Sequence, residues 1–92
     1  MAYRIMQPRF PVGQTVATPA VLALGIDLVP YMHRHHCGDW GDLDECDKLA
    51  NEEALEHGLR ILSHYKLGSG RRIYIITEAD RSSTCILLPE EY

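Results

Sequence analysis

Apolar and polar positions change their period partway along this chain. Between residues 18 and 58 short apolar stretches recur at helical spacing, each opened by a capping residue and closed by glycine. "TPAVLAL" starts at Thr18 with Pro19 in the first turn and stops at Gly25. Asp27 can cap a second helix, "LVPYMHRHH", which Gly38 ends. Asp44 caps a third, reaching about His57 before Gly58, with Cys46, Leu49, Ala50 and Ala54 as its expected apolar stripe. Asp44, Lys48 and Glu52 are placed on its wet side.

From Arg60 onward the period falls to two. Ile61, Ser63, Tyr65 and Leu67 alternate with Arg60, Leu62, His64 and Lys66, the signature of a strand. "GSG" at 68–70 is a turn, "RRIYIIT" a β-branched central strand, and "STCILLP" a third strand stopped by Pro89. Gln14 to Ala17 can add a short strand near the start. The expected class is α+β: two or three N-terminal helices packed on a C-terminal three- to four-stranded antiparallel β-meander. Residues 12–92 form one domain, and 1–11, with Pro8 and Pro11, are a loosely held arm.

Composition narrows the class without choosing an activity. Ninety-two residues with 46% hydrophobic and 24% charged side chains suit one small globular core. A formal charge of −4 speaks against generic nucleic-acid binding, which needs Lys and Arg to displace phosphate counterions. No run is long and apolar enough to span a bilayer, and "MAYRIMQPRF" does not read as a signal peptide, so the expected location is cytoplasmic. Cys37, Cys46 and Cys85 are odd in number and irregularly spaced, and read as free thiols.

Chemistry-bearing residues concentrate in two stretches. In "HRHHCGDWGDLDECD" (33–47), His33, His36 and Cys37 share a helical face, with Cys46 or a carboxylate needed as a fourth zinc ligand. No CxxC or HxxxH pair supports that reading, and an EF-hand loop fails where Cys46 and Asp47 stand, so no metal or cofactor is expected. His36 is in line with Val29 and Met32 and packs on the core, while His33 and His35 face solvent or nearby aspartates. Trp40 in "GDWGD" either plugs the gap between two helices or, turned outward beside Asp39 and Asp42, anchors a basic partner. In "TEADRSST", Asp80 holds the turn, and Arg81 pairs with Glu78 or with the acidic loop. A catalytic grouping of His35, Asp39 and Arg81 requires all three in one cleft.

"VGQTVATP", "RHHCGDWGDLDECD", "RILSHY" and "IYIITEADRSSTCILLPEEY" together resemble a family of small uncharacterised proteins of bacterial plasmids and integrative elements. The matching positions are Thr18, Pro19, Arg34, His35, Gly38, Asp39, Trp40, Gly41, Thr77, Glu78, Asp80, Arg81, Ser82 and Pro89. Tyr74 stands where a tryptophan is common, and Cys85 replaces a hydroxyl residue. The resemblance implies a mobile-element setting and no established activity. The expectation is therefore a non-catalytic, cytosolic protein-binding or regulatory module. Its proposed partner-binding residues are Arg34, His35, Asp39, Trp40, Asp42, Glu78, Asp80 and Arg81. Alternatives are a host-defence antagonist acting by occlusion and a metal-dependent hydrolase using His35, Asp39 and Arg81. Self-pairing of an uncovered strand or sheet face into a homodimer is also open.

Overall fold

The computed structural model describes residues 7–92. In chain order the elements are β1 (Gln14–Ala17), α1 (Pro19–Leu22), α2 (Val29–His36), α3 (Glu45–His57), β2 (Ile61–Lys66), β3 (Arg72–Thr77) and β4 (Ser83–Leu87), then a 3-10 turn, Pro89–Glu91. The helix ends follow local chemistry. Thr18 Oγ1 accepts the Val21 N–H at 3.2 Å, and Asp44 Oδ1 accepts the Asp47 N–H at 2.8 Å. Gly58 closes α3 in the left-handed region at φ 66°. Asp27 accepts the Val29 N–H at 3.0 Å, but Leu28 occupies the N-cap itself.

The class is α+β, with a four-stranded sheet in the order β1-β4-β3-β2. β2, β3 and β4 pair antiparallel, while β1 joins β4 in parallel, so the sheet is mixed rather than wholly antiparallel. Gln14 N donates to Ser82 O and Thr18 N to Ile86 O, both at 3.0 Å. Alternation marks a strand but carries no information about its direction in the sheet, hence the difference from a pure meander.

One sheet face carries the larger core. Val21, Tyr65, Leu67, Ile73, Ile75, Ile86 and Leu88 are buried there, with Ala20 of α1 and Tyr31 and Met32 of α2 packed against them. A second cluster joins Phe10, Trp40, Ala54 and Ile61. Two expectations change here. Phe10 is buried and Arg9 N donates to His36 O at 2.9 Å, so residues 9 and 10 belong to the folded body rather than to a loose arm. Gln7, Pro8 and Pro11 are exposed, and residues 1–6 lie outside the described residues. Helix α3 buries Asn51 and Ala54, leaving Leu49 63% exposed, because it lies beside β2 and presents a narrow, partly polar face to it. On the other sheet face Val16, Cys85, Ile76 and Leu62 form one row across all four strands. Tyr74 there packs edge-on against Tyr92.

Candidate functional site

The "GDWGD" loop is an edge seal. In β2 the backbone groups of Leu62, His64 and Lys66 point away from β3, and an edge left bare invites pairing with other chains. Asn51 of α3 donates to Leu62 O at 2.6 Å and accepts the Leu62 N–H at 3.1 Å. His64 N donates to Trp40 O at 3.2 Å, and Asp42 N donates to His64 O at 2.6 Å. Asp42 Oδ2 then accepts the Lys66 N–H at 2.7 Å. Gly41 sits at φ 77°, and a Cβ on it would run into the His64 carbonyl oxygen and the Tyr65 ring, so only glycine brings the loop this close. Asn51→Ala removes both bonds to Leu62 and reopens that edge. It should cost about 1–3 kcal/mol in urea denaturation and raise the tendency to aggregate; unchanged stability would contradict the seal.

Trp40 points inward. It is 4% exposed, with its ring centroid 6.0 Å from Phe10, and its Nε1–H donates to Glu52 Oε2 at 2.8 Å. Glu52 also takes both terminal nitrogens of Arg9, at 2.9 and 2.8 Å, so its carboxyl is held below its usual range chiefly by Arg9. Arg34 Nε reaches Asp39 Oδ2 at 2.7 Å, and its guanidinium lies 4.6 Å from the Tyr65 ring centroid. Asp39 is depressed below the ordinary carboxylate range mainly by that arginine. Of the two readings of Trp40, the inward plug is the one seen, while the partly exposed Asp39 carboxylate accepts from Arg34 and the Gly41 N–H.

His35 is likewise interior rather than solvent-facing, and fully buried. A single polar thread runs through it. Thr84 Oγ1 donates to Val12 O at 2.7 Å, so its one proton is used, and Thr77 must donate to Thr84 across 2.6 Å. Thr77 then accepts from His35 Nε2–H at 2.8 Å, leaving Nδ1 to accept the Ser63 hydroxyl proton at 2.5 Å. This fixes the Nε2–H tautomer. Burial, reinforced by neighbouring His36, lowers the His35 pKa to about 3. Ser63, Thr77 and Thr84 are all fully buried, so this serine–histidine pair has no surface from which to meet a substrate. The thread joins the segment before β1 to β4, β3, α2 and β2.

The β3–β4 hairpin is held by its own polar residues. Asp80 Oδ1 accepts the Ser82 N–H at 3.0 Å, and Glu78 meets Arg60 at 3.2 Å with both side chains about half exposed. Arg81 adopts φ 62° and reaches back to α3. Its Nη1 donates to Leu59 O at 2.6 Å and Glu78 O at 3.1 Å, and its Nη2 to Ala54 O at 3.0 Å. Its guanidinium lies 5.9 Å from the Phe10 ring centroid. The loop and the hairpin therefore meet through Phe10, in the interior, rather than around a groove. His35 engages hydroxyls, Asp39 engages Arg34 and Arg81 engages carbonyls, so the three do not converge as an acid–base set. Arg81→Ala should lose about 2 kcal/mol of stability with its charged hydrogen bonds. Arg81→Gly should recover about 1 kcal/mol by relieving the left-handed backbone; equal melting curves for the two would contradict this division.

Among the described residues no group of three or more His, Cys, Asp or Glu side chains is placed to hold a metal ion. His33 Nε2 lies 3.8 Å from Cys37 Sγ, and all three cysteines are free. No helix is long and apolar enough to cross a membrane, among the described residues.

What sequence reasoning did not select is the opposite edge of the sheet. Beside β1 runs an apolar groove of about 390 Å³, lined by Thr15, Val16 and Ala17 on the strand and by Val29, Met32 and His36 on α2, among others. Val16 is 44% and Val29 71% exposed. Gln14 and Thr18 turn their N–H groups toward β4, so by alternation Thr15 and Ala17 aim their backbone groups outward. Among the described residues nothing hydrogen-bonds to them. The signal available in sequence was "QTVA", a strand without the charge or proline that usually blunts an edge. No family model matches the chain, and no curated protein or solved structure matches it either.

Proposed function

We propose that this chain is a small, non-catalytic, cytoplasmic protein-binding module of the plasmid or integrative-element setting implied by the resemblance. It docks an extended segment of a partner along β1. The observation that carries this reading is the asymmetry of the sheet. The β2 edge is closed by Asn51, Trp40 and Asp42, whereas β1 offers backbone groups that nothing among the described residues pairs, beside an apolar groove. Strand addition uses such an arrangement: main-chain bonds give affinity, and alternate side chains entering a groove give selectivity. The favoured partner segment alternates apolar and polar residues. Its inward positions are apolar, to match Val29, Met32 and Ile86.

The reading moves the interaction surface away from Arg34, His35, Asp39, Trp40, Asp42, Glu78, Asp80 and Arg81, whose side chains are largely engaged in holding the fold. Selection from a random peptide library should return alternating sequences, and amide shift changes on binding should fall on residues 14–17 and 29–36. Binders whose shifts map instead to the Trp40 loop and the Arg81 hairpin would overturn it.

A further inference from the structure

The β1 edge, unpaired among the described residues, has a property that selects among occupants: it is complementary to itself. With Thr15 and Ala17 directing their backbone groups outward and Val16 turned to β4, two copies of β1 can lie antiparallel about a two-fold axis through Val16. Thr15 then faces Ala17 of the second copy, and Ala17 faces its Thr15. Each pair exchanges two backbone hydrogen bonds, four in all, with no outward donor or acceptor of the strand left over.

We propose that the segment docked on β1 is a second copy of this chain, giving a two-fold dimer with one continuous eight-stranded sheet. The inference rests on the strand-addition reading above and names its occupant. Charge favours it. The chain carries 13 acidic residues and a formal charge of −4, so most of its surface repels a copy of itself, yet no carboxylate lines the groove beside β1. A basic foreign segment finds no carboxylate there among the described residues, where His33 and His36 are the ionisable side chains, whereas this neutral strand finds its own likeness.

Packing favours it as well. Val16 lies on the sheet face not covered by α1 and α2, next to Cys85, and in this register its side chain meets Val16 of the second copy. A specific interface takes about 600–800 Å² from each partner, roughly a tenth of the 5902 Å² surface of this chain. Four residues of strand supply only part of that. The exposed side chains of Val16 and Val29 and the groove beside them make the remainder apolar.

The test is sedimentation equilibrium on the full chain and on two variants. Thr15→Pro removes an outward N–H without touching the ladder to β4, and Val16→Lys places two charges face to face across the axis. The wild type is expected to be a dimer at about 100 µM, corresponding to micromolar or tighter association. Both variants should be monomeric, with far-UV circular dichroism matching the wild type. Were one variant unfolded, the other still decides. A wild type monomeric at about 1 mM overturns the self-pairing. So does a dimer that survives both substitutions, because it must be joined elsewhere, such as through the Leu62–Ile76–Cys85 row. If the monomeric wild type still takes up a library peptide at residues 14–17, strand addition stands and only its occupant was misassigned. If it takes up none there, both readings fall.

Discussion

Trp40→Ala is expected to lower the unfolding free energy by about 3–5 kcal/mol, the cost of emptying a large buried site. The indole fills the space between Phe10, Ala54 and Ile61, and its N–H is one of the donors that hold Glu52. Stability of a small domain is only about 5–15 kcal/mol in total, so the variant should be largely unfolded near 37 °C or melt far below the wild type. Trp40→Phe retains most of the packing and loses the bond to Glu52, and should cost about 1–2 kcal/mol. Urea titrations of the pair separate volume from hydrogen bonding. A Trp40→Ala variant as stable as the wild type would mean that the indole is not the plug described above.

The second large effect is pH-dependent. With its pKa lowered to about 3 by burial, folded His35 is neutral, whereas in the unfolded chain it takes up a proton near 6.5. The unfolded state therefore binds more protons between those values, and stability falls as pH drops through that window. Above 6.5 the contribution is fully present. At pH 4.5 about 2–3 kcal/mol should be gone, at about 1.4 kcal/mol per pH unit. His64 is shifted in the same direction, mainly by burial, and adds to the trend. Asp39 and Glu52 are held low by arginines and contribute only at more acid pH, near the ordinary carboxylate range.

His35→Gln should flatten the slope between pH 5 and 6.5 relative to the wild type. It should also cost about 2 kcal/mol at pH 7.5 by disturbing the bonds to Ser63 and Thr77. An unchanged slope would remove His35 as its source.

How much of this was readable beforehand follows from the range of each interaction. Helix limits at Thr18 and Asp44 are set within three residues by side chain–backbone bonds, and at Gly58 by its left-handed backbone, so local sequence shows them. The alternation from Ile61 onward likewise shows two strand faces. The parallel placement of β1 depends on Ser82 and Ile86, about 68 residues away, and nothing local encodes it. The burial of His35 is hidden from local sequence for the same reason. Its partners Ser63 and Thr77 are supplied by two strands distant in sequence, and a polar residue buried by remote hydroxyls looks locally like an exposed one. A usable hint was present, since Ser63, Thr77 and Thr84 occupy inward positions of their strands and therefore needed a polar partner.

The loop rich in acids and aromatics has residue types that resemble those of binding sites. Glycine and aspartate are also what a chain needs in order to lie against a strand edge and satisfy its N–H groups, and here they do that. The surface left available is chemically plainer: Thr, Val and Ala on a strand beside Val, Met and His on a helix. Its character comes from backbone groups, which every sequence has and none displays.

The most direct test of the two-edge account is residue-resolved amide hydrogen exchange on the Val16→Lys chain, where no second copy covers β1. The Leu62, His64 and Lys66 amides should be protected, exchanging at least about 100-fold more slowly than Thr15 and Ala17, as ordered bonds differ from open edge groups. Fast exchange at Leu62, His64 and Lys66 together with slow exchange at Thr15 and Ala17 would contradict it, because the sealed edge and the open one would then have been assigned the wrong way round.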